Sequence, residues 1–235
     1  MLGEELKRMR MLDLGIGGGR TTKHFVGRVR EYVGVDYAPE MINVCRDRFP
    51  EWARAGAFKV CDARAMPILG DYFDFVLFSF NGIDYVPHED RLQILREVIR
   101  VIRRGGLFVF STHNLCSDVP RAFSVDNAAG VAAAAKQRLG AILFRLLNPH
   151  WYRGRNTADY LIINDGAHGF RLRTYYVRPS AQVRQLLDTG FRDVKVIGCD
   201  GKVLTPDEAD GAPDWWLHYF ATKGNRDHNE RPALP

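Results

Sequence analysis

At 235 residues the chain suits one large domain and is short for two of ordinary size. Hydrophobic residues at 46% and charged residues at 26% supply a core and exclude global disorder, and no run approaches the roughly 20 apolar residues of a membrane-spanning helix. The net charge is +5, from 33 basic and 28 acidic residues. Nine basic and four acidic residues fall between His113 and Arg178, so this region carries the whole imbalance.

The start, Met1-Leu2-Gly3-Glu4-Glu5, lacks the basic region and apolar run of a signal peptide, so a cytoplasmic protein without a membrane partner is expected. Cys45, Cys61, Cys116 and Cys199 form no CxxC pair and no zinc spacing with the seven histidines, so no metal site is expected. The basic region lacks a Cys/His finger, a GXXG loop or interleaved aromatic and basic residues, which makes a nucleic-acid partner an unfavoured reading.

In chain order, Leu2 to Arg10 reads as a short helix, and Met11-Leu12-Asp13-Leu14 as a buried strand. The strand enters Gly15-Ile16-Gly17-Gly18-Gly19, and Thr21-Thr22 open a helix to about Arg28. Tyr32 to Val35 form a second strand ending at Asp36; a helix from Pro39 places Met41, Ile42, Cys45 and Phe49 on one face. Phe58-Lys59-Val60 is a third strand, closed by Cys61-Asp62-Ala63, and the apolar run Phe73 to Phe80 reads as a central parallel strand. A helix from Glu89 to Arg103, with Leu92, Leu95, Ile99 and Ile102 inward, stops at Gly105-Gly106 before a strand from Leu107 to Ser111.

This alternation predicts a doubly wound α/β sheet. Residues 113–177 interrupt it as an insertion: a small-residue helix from Ala128 to Leu147, an aromatic turn around Trp151-Tyr152-Arg153 and an alternating segment Phe170 to Val177. A helix from Pro179 to Thr189, a stop at Gly190 and strands Phe191 to Ile197 and Trp216 to Thr222 follow, with residues 224–235 expected as a flexible tail. The whole chain, 1–235, is expected to be one domain.

The chemistry concentrates at strand ends. A glycine-rich turn between strand and helix admits a ligand close to the backbone and offers it free N–H groups. The GxGGG spacing is not a Walker A loop; a dinucleotide fold binding NAD is the rival, although it wants GxGxxG and a second, catalytic domain for which 235 residues leave little room. Asp36, 17 residues beyond Gly19, can accept both hydroxyls of a ribose or cap the following helix. Asp62 can accept from an adenine amino group, or serve as an ordinary turn residue. Asn81 can orient an acceptor or cap the turn before Gly82, and His113 and His88 can each take a proton or cap an element end.

Leu12 to Gly19, Val33-Gly34-Val35-Asp36, Cys61-Asp62-Ala63, Phe73-Asp74-Phe75-Val76 and Arg103-Arg104-Gly105-Gly106-Leu107 together resemble the successive motifs of class I S-adenosylmethionine-dependent methyltransferases. The likeness spans residues 11–112 and resumes over Phe191 to Lys223. It implies a Rossmann-like, seven-stranded, mostly parallel sheet in the order 3-2-1-4-5-7-6, with residues 113–177 as a substrate cap after strand 5. It implies binding of S-adenosyl-L-methionine, leaving S-adenosyl-L-homocysteine, through Asp13, Gly15, Gly17, Gly19, Asp36, Tyr37, Asp62, Ala63, Arg64 and Ser79. His113, Asn81 and Tyr85 would then be the catalytic candidates, with Phe80, His168, Arg171, Tyr175 and Tyr176 toward the acceptor.

The resulting expectation is methylation of an N or O atom of a small molecule by in-line displacement, achieved mainly by positioning. The basic insertion slightly favours an anionic acceptor, and the protein is expected to be a monomer or homodimer. RNA or protein methylation, or a non-catalytic cofactor-fold binding protein, are the alternatives.

Overall fold

The computed structural model describes residues 2–117, 131–166 and 170–224. The expected tail beyond Gly224 and the first part of the expected Ala128 to Leu147 helix lie outside these residues. Helix α1 (Leu2–Leu6) leads into β1 (Arg10–Leu14), then α2 (Thr22–Phe25), β2 (Glu31–Asp36), α3 (Pro39–Arg48), α4 (Pro50–Arg54), β3 (Phe58–Val60) and β4 (Phe73–Phe78). A 3₁₀ turn (Gly82–Tyr85) precedes α5 (His88–Val101) and the long β5 (Ile102–Asn114). The insertion holds α6 (Val131–Leu147), α7 (Trp151–Gly154), β6 (Tyr160–Ile163) and β7 (Thr174–Val177). The chain closes with α8 (Pro179–Thr189), β8 (Phe191–Ile197), β9 (Val203–Leu204), α9 (Pro206–Asp210) and β10 (Trp216–Lys223).

The sheet runs β3-β2-β1-β4-β5-β10-β8-β9, parallel from β3 to β5 and antiparallel where β10 enters between β5 and β8. With β8 and β10 as the sixth and seventh principal strands, this is the expected 3-2-1-4-5-7-6 order, to which β9 adds a short edge. The insertion joins the same sheet: β7 pairs parallel with the end of β5 through His113↔Tyr176, and β6 pairs antiparallel with β7.

Central strands are apolar because helices cover both faces. Leu12, Val76, Phe108 and Phe110 pack with Ile94, Leu95 and Val98 of α5 and Leu186 of α8 on one side; Met11, Phe75 and Leu77 pack with Ile42 and Cys45 of α3 on the other. Several boundaries differ from the expected ones. The helix after the glycine turn ends at Phe25, three residues before Arg28, and Met41 of α3 faces solvent while Ile42 and Cys45 are buried. Helix α5 stops at Val101, and residues 103–106 belong to β5. There the pairing with β4 jumps from Phe73↔Ile102 to Phe75↔Leu107, so the glycines make an irregularity within a strand. Gly105 has φ +68°, and a Cβ on Gly106 would lie 2.7 Å from Ile102 and 2.8 Å from the Arg103 carbonyl. Gly105 supplies the left-handed backbone and Gly106 the close approach, and the apparent helix stop is a strand bulge.

Candidate active site

Two adjoining cavities open at the carboxyl ends of the parallel strands. The larger, about 510 Å³, lies between the glycine turn after β1, the end of β2 and the turn after β3; Gly15, Asp36, Tyr37, Asp62, Ala63 and Arg64 border it. The smaller, about 260 Å³, lies beyond the ends of β4 and β5 and is bordered by Ser79, Phe80, Asn81, Ser111, His113 and Trp216. Tyr85 borders both.

Gly15, Gly17 and Gly19 have φ of +62°, +50° and +79°, the left-handed region that a side chain disfavours. A Cβ on Gly15 would stand 2.8 Å from the Phe78 ring, while the space above Gly17 is open. Asp36 fastens the turn from across the cavity: its Oδ2 accepts the Gly17 N–H at 2.9 Å and its Oδ1 accepts the Ala38 N–H at 2.9 Å. The carboxylate therefore caps the start of α3 and borders the cavity at once. Each oxygen retains acceptor capacity beyond one N–H.

Asp13 does not reach the cavity. It is fully buried, its Oδ2 accepts the Thr21 hydroxyl at 2.6 Å and the Tyr32 hydroxyl at 2.8 Å, and its Oδ1 has no partner. Burial pushes its pKa up to about 6, against the lowering effect of those two hydroxyls. Direct approach to a ligand is thus corrected to bracing the turn from behind. Gly17 and Gly19 also lie off the cavity lining; a Cβ on Gly19 would meet Phe49 at 2.7 Å, so this glycine admits the packing of α3.

Asp62 borders the larger cavity with both carboxylate oxygens engaged by Arg64, which also reaches Asp90 at 2.7 Å. The Arg64 guanidinium and backbone N–H hold Asp62 below the usual carboxylate range. Ser79, grouped with the larger cavity by the resemblance, borders the smaller one.

The smaller cavity rests on a buried polar network. Asp84, in the 3₁₀ turn, is inaccessible; its Oδ2 accepts the His113 backbone N–H at 2.8 Å and lies 2.7 Å from the His113 Nδ1. Its Oδ1 accepts from Arg91 Nη1 at 2.5 Å and from the Thr112 hydroxyl at 2.6 Å. Arg91 is itself fully buried, reaching Thr112 and, at 2.6 Å, the Gln182 side-chain oxygen. A carboxylate so paired only accepts, so the His113 Nδ1 carries the proton and its Nε2 is left as an acceptor. The Asn81 amide nitrogen is 3.4 Å from that Nε2, while Asn81 Oδ1 is buried without a partner. Phe80 and Asn81 both have positive φ, +53° and +56°, and the Ser111 hydroxyl accepts the Asn81 N–H at 3.0 Å. Strained backbone of this kind persists only where its surroundings enforce it.

The insertion backs this cavity without lining it as expected. Tyr176 is buried, packs its ring 4.8 Å from that of His113 and donates to Asp165 at 3.2 Å. Tyr175 is fully buried, 2.7 Å from His88 Nδ1, and burial pushes its hydroxyl up to about 12. His88 stacks on Tyr160 at 4.1 Å and borders a third cavity away from the other two. Both tyrosines are thus interior supports, a correction to their acceptor-binding reading. Arg171 is exposed and borders neither cavity, whereas its neighbour Leu172 borders the larger one. His168 lies outside the described residues.

Sequence reasoning passed over Asp84, Arg91 and Gln182. One signal was available: Arg91 precedes Leu95 by four and Val98 by seven residues, which puts a guanidinium on the buried stripe of α5 and demands a buried anion.

A family model described as a methyltransferase domain matches residues 11–106. Over 105 residues the chain is 30% identical to an uncharacterized methyltransferase of Bacillus subtilis, covering 44% of this chain and 40% of that one. Over another 105-residue match it is 37% identical to a malonyl-[acyl-carrier protein] O-methyltransferase of Halorhodospira halophila, covering 44% and 34%. The chain thus spans less than half the length of these relatives. Among solved structures, a putative S-adenosylmethionine-dependent methyltransferase from Listeria monocytogenes superposes with a TM-score of 0.62 at 17% identity, over 94% of this chain and 93% of that one. One from Mesorhizobium loti gives 0.59 at 18%, over 93% and 92%. Strand order, glycine turn and acid-ended β2 agree with these matches: the chain has the class I S-adenosylmethionine-dependent methyltransferase fold. The residues that the family model matches begin in β1 and run into β5.

Proposed function

We propose that this chain transfers a methyl group from S-adenosyl-L-methionine to an N or O atom of a small molecule by in-line displacement. The observation that carries this reading is the pair of cavities meeting at Tyr85, one framed by the glycine turn and Asp36, the other by His113. The larger cavity fits the donor: backbone is bare at Gly15, Asp36 presents a carboxylate at its edge, and Ala63 offers backbone at its far side. When bound, S-adenosyl-L-methionine supplies an activated methyl on a sulfonium.

This chain's own residues bind, orient and exclude water. Asp36 holds the ribose hydroxyls, Tyr37 and Ala63 flank the adenosine, and Gly15 lets it approach the turn. Arg64 occupies the side chain of Asp62, so the adenine contact passes to the backbone around Ala63. In the smaller cavity Asn81 orients the acceptor, and His113, held by Asp84, takes the proton that the acceptor loses. Because the donor is already activated, this positioning supplies most of the rate.

The names of the relatives differ in the acceptor atom. The Halorhodospira protein is named an O-methyltransferase, while one from Bordetella parapertussis, 34% identical over 101 residues, is named a ubiquinone/menaquinone biosynthesis C-methyltransferase. The test is equilibrium binding of S-adenosyl-L-homocysteine to Asp36→Ala. A folded variant that binds more than tenfold more weakly supports the assignment, and unchanged affinity removes Asp36 from it.

A further inference from the structure

The smaller cavity shows more than a place for an acceptor, because three of its features constrain acceptor chemistry independently. The first is the orientation of His113. Asp84 takes both its backbone N–H and its Nδ1, Arg91 sits behind Asp84, and the imidazole is left with Nε2 as an acceptor beside Asn81. A neutral amine already has a lone pair and needs no base before it attacks. A hydroxyl is a weak nucleophile until its proton is leaving, so an oriented base contributes more to an oxygen acceptor than to a neutral amine.

The second feature is charge. Leu77 and Val109 form the cavity's apolar part, Phe80 and Trp216 its aromatic part, and none of the described lining residues is Asp, Glu, Lys or Arg. The nearby Arg20 guanidinium lies 4.0 Å from the Phe80 ring centroid and is not a lining residue. The second lining histidine, His218, is held below the ordinary histidine range by burial. A carboxylate or phosphate would be desolvated here without a cation to pair with it. The third is the Asn81 Oδ1, a buried acceptor with no partner, on a residue 4% exposed. With the His113 Nε2 close by, it lets the single O–H of an occupant be shared between the two acceptors before the proton moves to Nε2.

Resting on the methyl-transfer reading above, we infer that the acceptor is a small, uncharged aromatic hydroxyl compound, a phenol, methylated on oxygen with His113 as the base. At about 260 Å³ the cavity is smaller than the ~300–1,000 Å³ of drug-sized sites, which suits a compact ring system. A phenol's acidity also lies far closer to that of imidazole than an aliphatic alcohol's does. In the step, the phenolic oxygen forms its bond to the methyl carbon as the carbon–sulfur bond breaks. The bonding pair returns to sulfur, whose positive charge is cancelled, and the phenolic proton moves to His113 Nε2, which later releases it to solvent. The titratable groups around His113 are Asp84 and Arg91 beneath it, Tyr85, Tyr176 on β7 and His218 on β10.

This extends the sequence expectation in one respect and reverses it in another: oxygen is selected over nitrogen, and the slight preference for an anionic acceptor is replaced by a neutral one. The basic residues of the insertion do not border this cavity among the described residues.

The test uses the full chain and labelled S-adenosyl-L-methionine with four ring-matched probes: 2-naphthol, 6-hydroxy-2-naphthoate, 2-naphthylamine and 2-naphthylmethanol. Binding of S-adenosyl-L-homocysteine is measured in parallel by calorimetry. Methylation of 2-naphthol at least tenfold faster than of the other three, with His113→Asn slowing it about 10²–10⁴-fold while S-adenosyl-L-homocysteine affinity holds, supports the inference. Preference for the carboxylated probe or the amine overturns it, as does equal activity of His113→Asn at every pH from 6 to 9. Cofactor binding with no transfer to 2-naphthol overturns the acceptor class and leaves the cofactor reading standing. Loss of cofactor binding in the folded wild-type chain overturns both.

Discussion

Asp84 is the residue on which the proposed chemistry turns, although nothing in its sequence neighbourhood advertises it. It holds the His113 ring from beneath while Arg91 balances its charge, so Asp84→Asn retains one acceptor but presents an N–H₂ group where His113 and Thr112 require oxygen. Steady-state methyl transfer by Asp84→Asn is expected to fall about 10²-fold or more, and kcat/KM to lose its dependence on a fixed imidazole tautomer. A folded variant with undiminished turnover would show that the network is structural only. Asp13 makes a separate prediction about stability. Its folded pKa of about 6 lies above the ordinary aspartate value of 3.8, so the unfolded chain ionises first. The contribution favouring the fold is fully present below about pH 4 and is lost as pH rises through about 6. The difference amounts to ~3 kcal/mol. Asp13→Asn keeps an oxygen for Thr21 and Tyr32 without the charge, so its denaturation midpoint relative to wild type should rise between pH 4 and pH 7. A constant difference across that range would contradict the account. That Asp36 borders the larger cavity was legible from its place at the end of a strand. Asp13 was legible as part of a motif but not in its role, because burial depends on the ring of Tyr32 19 residues away.

Among the elements, the parallel strands were readable because burial on both faces leaves continuous apolar runs such as Phe73 to Phe78. Helix α8 was readable to the residue, since Pro179 starts it and Gly190, at φ +109°, ends it in the left-handed conformation. Helix α5 and β5 were divided wrongly because Gly105-Gly106 signal a helix stop locally, whereas the close approach of Gly106 to Ile102 and Asp74 is tertiary. The short elements β6, α7, β9 and α9 escaped for a related reason: two to five residues carry little periodicity, and β6 exists by pairing with β7. The glycine turn supports the clearest element-scale prediction. Gly15→Ala must place a side chain at positive φ, costing about 1–2 kcal/mol, and must displace Phe78 from a 2.8 Å approach. Thermal unfolding should show that loss, and S-adenosyl-L-homocysteine affinity should drop at least tenfold because the displaced ring borders the larger cavity. Gly17→Ala, with no atom within 4 Å of the added carbon, should show the smaller stability loss of the two. Equal losses would mean that the Phe78 contact does not matter.

At the scale of the molecule, the sheet brings three strand ends to one crevice and then uses β7 to extend β5 past it, so the insertion buttresses His113 through Tyr176. The sequence order of strands and helices foretold the sheet. It did not foretell which face of the insertion turns inward, because Tyr175 and Tyr176 are both buried, one toward His88 and one toward His113. Among the described residues no helix is long and apolar enough to cross a membrane, and no group of His, Cys, Asp and Glu side chains is arranged to hold a metal. A ligand that binds only the folded chain raises its stability by about 2.7 kcal/mol at one hundred times its dissociation constant, so the cofactor reading has a whole-molecule signature as well as a local one. Calorimetric titration of the full chain with S-adenosyl-L-homocysteine, beside NAD at the same concentrations, measures it most directly. Saturable one-site binding of S-adenosyl-L-homocysteine alone, at micromolar concentrations, is the predicted result. Binding of NAD in its place, or of neither by a folded sample, would contradict the central claim.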